Sequence, residues 1–119
     1  MSADVDAVMD ALGNMALQDM RRCIEEEASS IAPNRRLVAS LKWGQPSFAL
    51  SPKHGTAVRL GLHRDRPAVF VHCGTSLVED WRQRMGPDAD VSGNRAVFID
   101  PDDVEALRPF IRAALTYRS

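Results

Sequence analysis

Residues 41–48 read Leu41-Lys42-Trp43-Gly44-Gln45-Pro46-Ser47-Phe48, and the hydrophobic pattern of the chain changes here. Before this segment, apolar residues recur every three or four positions, as on the buried side of a helix. After it, apolar and polar residues alternate, as on a half-buried strand. The segment combines a large aromatic, a glycine, a side-chain amide and a proline, which predicts a junction between a helix and a strand.

Three helices are predicted before the junction. The first covers residues 3–12 and ends at Gly13, a residue that suits a helix C-terminus. The second is amphipathic, and its apolar stripe consists of Leu17, Met20, Ile24, Ala28 and Ile31. Pro33 suits the first turn of a third, short helix that ends near Lys42. The residues that this helix turns inward are Leu37, Val38 and Leu41.

Strands are predicted after the junction, at about residues 47–50, 56–63, 66–73 and 94–99. Pairing Leu60 with Val69 places the apolar side chains of the two middle strands on one face and leaves Arg64-Asp65 as the loop. On that core face the register places Val58, Leu60, Leu62, Val69 and Val71. A hairpin with a defined register is therefore expected.

Two further helical regions follow the hairpin. Ser76-Leu77-Val78-Glu79 has the spacing of a capping box, which predicts a helix that runs to about Met85. Near the C-terminus, Pro109 predicts that the last helical segment is divided into pieces at about 101–107 and 109–117.

Composition limits the class of protein. The chain has 119 residues, the size of one domain over 1–119, and its 45% hydrophobic and 26% charged residues are ordinary globular usage. Fifteen basic and sixteen acidic residues give a net charge of -1, which disfavours nucleic acid as a partner. No apolar run is long enough to span a membrane, and the N-terminus lacks a signal-peptide pattern, so a cytoplasmic protein without a membrane partner is expected. A disulfide between Cys23 and Cys73 is not expected there.

Five segments, taken in order, resemble the YdhG-like domain of unknown function numbered 1801. They are Leu41-Lys42-Trp43-Gly44-Gln45-Pro46-Ser47-Phe48, Thr56-Ala57-Val58-Arg59-Leu60-Gly61, Val71-His72-Cys73-Gly74-Thr75-Ser76-Leu77-Val78, Gly93-Asn94-Arg95-Ala96-Val97 and Ala113-Ala114-Leu115-Thr116-Tyr117. The resemblance covers about residues 15–118. It implies a single α+β domain with a mostly antiparallel sheet packed by N-terminal and C-terminal helices, broadly frataxin-like, and it implies no established reaction.

Some members of the wider YdhG-like group are associated with iron handling. The family often carries an acidic residue shortly before its tryptophan or tyrosine, whereas this chain has Ala39 and Ser40 there. This departure weighs against a carboxylate-based metal site at the aromatic.

Candidate ligand-binding residues come from the predicted outer face of the hairpin. Arg59, Phe70 and His72 share that face, and Arg95 joins them if the last strand is adjacent, which would form a seat for a small anion or acid. The alternative is an ordinary solvated sheet face. The full candidate set is Trp43, Gln45, Arg59, His72, Thr75, Asn94 and Arg95.

Two members of this set also have structural interpretations. Trp43 is expected to fill the core where helix meets sheet, with ligand contact as the alternative. Gln45 is expected to satisfy backbone groups at the turn, again with ligand contact as the alternative.

Metal and thiol chemistry are not expected. His54, His63 and His72 recur every nine residues, but the hairpin separates the last two by roughly 20 Å, too far for one metal ion. A site joining His54 and His72 is the remaining alternative. Cys73 is expected to point into the core while its neighbour His72 points away, which prevents a thiol–imidazole pair.

The leading hypothesis is therefore a non-enzymatic small-ligand binding module without a cofactor, monomeric or homodimeric, whose partner is an unknown small molecule or anion. The alternative is an iron or divalent-metal carrier of frataxin-like type that uses Glu25, Glu26 and Glu27, a run otherwise expected to be a solvated helix face. An enzyme is disfavoured because no nucleophile and base have a suitable spacing. A hydrogen bond between Thr75 and His72 would revive that possibility.

Overall fold

The computed structural model describes residues 3–50 and 56–117. Its helices are α1 (Ala3–Leu12), α2 (Met15–Ile31), α3 (Leu77–Met85) and α4 (Arg108–Leu115). Its strands are β1 (Val38–Lys42), β2 (Gln45–Ala49), β3 (Val58–His63), β4 (Arg66–Phe70), β5 (Val91–Ser92) and β6 (Ala96–Phe98). Short 3₁₀ turns occupy Gly86–Asp88 and Val104–Leu107.

The strands form one sheet with the order β1-β2-β3-β4-β6-β5, in which every neighbouring pair is antiparallel. Helices α2 and α4 pack on each other and on the central strands, and α1 packs on β1 and β2. The prediction of an α+β domain is confirmed. Among the described residues, no helix combines the length and apolar character needed to cross a bilayer.

The two faces of the sheet differ in what covers them. Along β4 and its continuation, Val69 and Val71 belong to the main core, which also contains the buried stripe of α2. The alternate residues belong to a second, smaller cluster made of Ala68, Phe70, Ala96 and Phe98. The period of two thus separates a helix-covered face from an outer face.

The register predicted for the β3–β4 hairpin is confirmed, because Leu60 pairs with Val69. The loop residues Arg64 and Asp65 have φ values of 52° and 63°, as a type I′ turn requires. Leu62 does not join the core: it is 42% exposed, and it pairs with Pro67 at the turn end of the hairpin, one pair before the Arg64-Asp65 loop.

The predicted third helix is wrong, because strand β1 occupies its place. Lys42 pairs with Gln45, and the loop between them is Trp43-Gly44, with φ values of 56° and 75°. Two positive φ values form a tight hairpin turn and do not continue a helix. Val38 is 52% exposed and Leu41 is 38% exposed.

The same residues also fit a strand pattern, which explains the error. Leu37 and Ala39 pack against the main core, with the period of two that a strand gives. Short apolar runs fit helix and strand templates equally well, and pairing with β2 decides between them.

Candidate functional site

The outer face of the sheet carries a concavity of about 970 Å³. Six of the seven sequence-predicted residues line it: Trp43, Gln45, Arg59, His72, Asn94 and Arg95. Thr75 is the exception. These six residues come from strands β2 and β3, from the β1–β2 and β5–β6 loops and from the segment after β4. The fold therefore brings together residues that are far apart in the sequence.

Cross-strand pairing positions Arg59 at the centre of this surface. Ser47 lies opposite Arg59 on one side and Phe70 lies opposite it on the other. The Arg59 guanidinium lies 5.8 Å from the centroid of the Phe70 ring. Its Nη1 donates a hydrogen bond to Oε1 of Gln45, at 3.4 Å.

Gly61 provides the room for Gln45. A Cβ atom at position 61 would lie 2.9 Å from Nε2 of Gln45, closer than side-chain atoms approach without displacement. The glycine is therefore part of what holds the Gln45 amide beside Arg59.

The concavity is cationic. Its lining contains Arg59, Arg64 and Arg95 together with His63 and His72, and within the described ranges it contains no acidic residue. Burial lowers the pKa of Arg59, and the positive charge of Arg95 lowers it further. Both effects disfavour the charged form of Arg59.

His72 is held in a defined orientation by the turn that follows it. Its Nδ1 accepts a hydrogen bond from the backbone N–H of Gly74 at 2.9 Å, so in the neutral ring the proton resides on Nε2. A Cβ at Gly74 would approach Nδ1 to 2.9 Å, which makes glycine necessary for this contact. The ring can thus donate from Nε2.

Thr75 closes this turn from outside the concavity. Its backbone N–H and its hydroxyl both donate to the carbonyl oxygen of His72, at 3.1 and 2.8 Å. The contact uses the backbone of His72 and leaves its imidazole free of Thr75. It is therefore not a nucleophile–base pair.

Trp43 lies at the tip of the β1–β2 hairpin and is 90% exposed. The prediction that it fills the core is wrong, because the turn directs position 43 away from the helices. Trp81 fills the core instead, with its ring 5.6 Å from that of Phe110.

No family model, curated protein or solved structure matches this chain. The resemblance to the YdhG-like domain stays a prediction, and the functional argument depends on the geometry of the site.

Cys73 also differs from expectation, since it is exposed and lines the concavity. Strand β4 ends at Phe70, so the alternation that predicted an inward side chain no longer holds at position 73. Cys23 is the buried thiol. Burial, followed by a hydrogen bond to Glu105, raises the pKa of Cys23 to about 11.

The candidate set omits four polar residues that also line the concavity: His63, Arg64, Cys73 and Ser92. The sequence suggests His63 only as a metal ligand, yet its ring stacks on Phe98 at 5.7 Å and meets the Phe70 ring edge-on at 5.8 Å. Its Nε2 forms a 3.0 Å hydrogen bond with the hydroxyl of Ser92. The alternation of β3 places His63 on the same face as Arg59 and was the available signal, whereas nothing in the sequence indicated Ser92.

The described residues contain no group of three His, Cys, Asp or Glu side chains that could hold a metal ion. His54 lies outside the described ranges, so its proposed site with His72 is not addressed. Glu27 was expected on a solvated helix face, but it is buried. Its carboxylate accepts from Arg108 and Arg112, both at 3.2 Å.

The other two carboxylates of that run also have arginine partners. Glu25 pairs with Arg21 at 3.4 Å, and Glu26 pairs with Arg108 at 2.8 Å. A divalent cation would have to displace these guanidinium groups to use the run as a ligand set.

Proposed function

We propose that this chain is a binding module for a small anion, which is held on the outer face of the sheet by Arg59, Arg95 and His72. One observation carries the proposal: a half-buried guanidinium lies beside a second one in a concavity whose described lining has no carboxylate. Desolvating a cation without a partner costs free energy. A bound anion removes that cost.

Burial separates Arg59 from the other arginines. Four described arginines are partly buried: Arg21, Arg59, Arg82 and Arg108. Arg21, Arg82 and Arg108 each form an ion pair with a described carboxylate. Arg59 forms no such pair with any described residue. The contrast supports an external anion as the partner of Arg59.

The donor geometry suits such a ligand. Two guanidinium groups offer forked N–H donors that match carboxylate or phosphate oxygens. The Nε2–H of His72 adds a third donor whose orientation is fixed by Gly74.

Thermal unfolding with phosphate, sulfate, succinate and citrate tests the proposal. An anion at about 100 times its dissociation constant adds about 2.7 kcal/mol to the free energy of unfolding. Arg95→Gln, which removes an exposed charge, is expected to weaken binding about tenfold or more, as loss of a charge-assisted contact does. Arg36→Gln, an exposed arginine outside the concavity, is the matched control.

The proposal fails if none of these anions stabilises the wild-type protein, or if the Arg95 and Arg36 variants lose affinity equally. In the second case the effect would be one of overall charge and not of this site.

Two further expectations belong to the same proposal. The order of the five segments supports membership of the YdhG-like group. A cytoplasmic location is supported by the exposed free thiol of Cys73, since exposed thiols persist in reducing compartments.

A further inference from the structure

We infer, on the basis of the proposed function, that the anion is a phosphate monoester carrying a planar ring, of which a nucleoside monophosphate is the simplest example. Its phosphate is held by Arg59 and Arg95, and its ring stacks on Trp43. Geometry, charge and spacing each support this assignment.

The position of Trp43 has no explanation in the fold itself. Its φ is 56°, a left-handed conformation that favours Gly, Asn or Asp and disfavours a bulky side chain. Packing of the indole does not offset this backbone strain, because the side chain is 90% exposed. A strained and exposed tryptophan at the rim of a concavity points to contact with a ligand.

Charge favours phosphate over a single carboxylate. A carboxylate compensates one guanidinium and leaves the other uncompensated in the same half-buried site. A phosphate monoester carries a charge of about −1.5 to −2 at neutral pH and has three acceptor oxygens. Those oxygens match the donors of Arg59, Arg95 and His72.

Spacing favours a ligand with a linker between phosphate and ring. Gln45 begins strand β2 directly after the turn that carries Trp43, and Arg59 donates to its amide oxygen at 3.4 Å. All three residues line the same concavity, with Gln45 between the indole and the guanidinium. A ligand that reaches both therefore needs a linking group between its phosphate and its ring, and one sugar provides it.

The size of the concavity agrees with this ligand class. Its volume of about 970 Å³ is near the upper end of the range of about 300–1,000 Å³ for small-molecule sites. A bare inorganic ion would occupy little of it.

Isothermal titration calorimetry with four probes tests the inference: adenosine monophosphate, uridine monophosphate, ribose 5-phosphate and adenosine. The tighter of the two nucleotides is expected to bind at least about fivefold more tightly than ribose 5-phosphate, the minimum given by base–aromatic stacking. Adenosine, which lacks the phosphate, is expected to bind more weakly still.

Trp43→Asn separates ring contact from folding, because asparagine accepts the positive φ that tryptophan resists. In this variant the ratio of nucleotide affinity to ribose 5-phosphate affinity is expected to fall to near one. Leu62→Ala changes an exposed apolar residue outside the concavity and should leave the ratio unchanged.

Four results overturn the inference. Equal affinity for nucleotide and ribose 5-phosphate would show that the ring does not contribute to binding. Tight binding of succinate, with no binding of any phosphate ester, would show that the ligand is not a phosphate ester. In both cases the proposed anion site would stand. Binding of a uridylate tetramer much more tightly than uridine monophosphate would assign the surface to a nucleic-acid strand. Failure of every probe and of every anion in the thermal panel overturns the proposed function as well.

Discussion

At the scale of single residues, Trp43 shows most clearly a conflict between folding and the proposed binding role. A tight hairpin turn with two positive φ values favours Asn-Gly, and this chain has Trp43-Gly44. The free-energy cost of the positive φ lies at Trp43 alone, so a single substitution at that position measures it.

Trp43→Asn is expected to raise the free energy of unfolding by about 1 kcal/mol, because strain at one φ position is worth about that much or more. Chemical denaturation measures the change. Trp43→Ala removes the ring as well but lacks the short polar side chain with which asparagine stabilises a positive φ, so it should give a smaller gain. A loss of stability in the asparagine variant would mean that the indole packs on the protein in solution.

Gly61→Ala is expected to weaken phosphate binding severalfold while changing stability by less than about 1 kcal/mol. The new methyl group would meet the Gln45 amide at 2.9 Å and turn it away from Arg59, whereas alanine is no worse than glycine within a strand. Calorimetry with phosphate and a denaturation curve measure the two quantities.

The control for this prediction is the same substitution in a Gln45→Ala background, where the amide is absent. There Gly61→Ala should have little further effect on phosphate affinity, so a double-mutant cycle isolates the contact. Equal losses in both backgrounds would show that position 61 acts on the sheet and not through Gln45.

At the scale of elements, an ion-pair network ties α2 to the C-terminal helical region. Arg108 donates to Glu26, Glu27 and Glu105, and Arg112 also donates to Glu27. Because Glu27 is buried, its carboxylate depends on these partners. The network therefore links α2 to α4 and to the 3₁₀ turn before it.

Arg108→Gln is expected to lower the free energy of unfolding by about 1–3 kcal/mol, since it leaves the buried carboxylate of Glu27 with one charged donor fewer. Arg36→Gln, with no described partner, should have almost no effect. The reading fails if urea denaturation gives the same midpoint for both variants.

The network also predicts a pH dependence. Hydrogen bonds, first from Arg108 and then from Cys23, lower the pKa of Glu105 from 4.5 to about 2. Because the folded pKa is the lower one, the contribution is complete above about pH 4.5 and is lost as the pH falls towards about 2. The stability difference between wild type and Arg108→Gln should shrink across that window, and a constant difference would exclude Glu105 as the cause.

At the scale of the whole molecule, the two thiols report on different states of the protein. Cys73 is exposed and Cys23 is buried with its pKa raised to about 11. At about pH 8 iodoacetamide should therefore add one label quickly, at Cys73, and the second only after unfolding. Intact-mass measurement counts the labels, and Cys73→Ser should abolish the fast one.

The same experiment reports on the site, since Cys73 lines the concavity. A bound phosphate ester should slow labelling of Cys73 without changing that of Cys23. Rapid double labelling of the native protein would contradict the burial of Cys23.

The distribution of charge over the surface also belongs to the scale of the whole molecule. The net charge is -1, which by itself disfavours an anionic partner, yet the outer face of the sheet is locally cationic. A net charge sums over surfaces that the fold separates, so it describes solubility and long-range attraction better than it describes a site.

Sequence by itself determined the elements whose signals are local. Helix α1, the buried stripe of α2 and the division of the last helix at Pro109 all follow from periodicity and from proline chemistry. The register of the β3–β4 hairpin follows from the same alternation, because a slip of one residue would turn its apolar side chains to the wrong face. The seven candidate residues came from that alternation and from the motif segments, and six of them line the concavity.

Tertiary structure alone decided the features that depend on a partner distant in sequence. Strand β1 exists because β2 pairs with it, which also carries Trp43 out of the core. Glu27 is buried because Arg108 lies against it, and Cys73 is exposed because the chain leaves the sheet after Phe70. A local pattern specifies which side of an element is apolar, but burial, pairing and charge compensation depend on the groups that the fold places opposite.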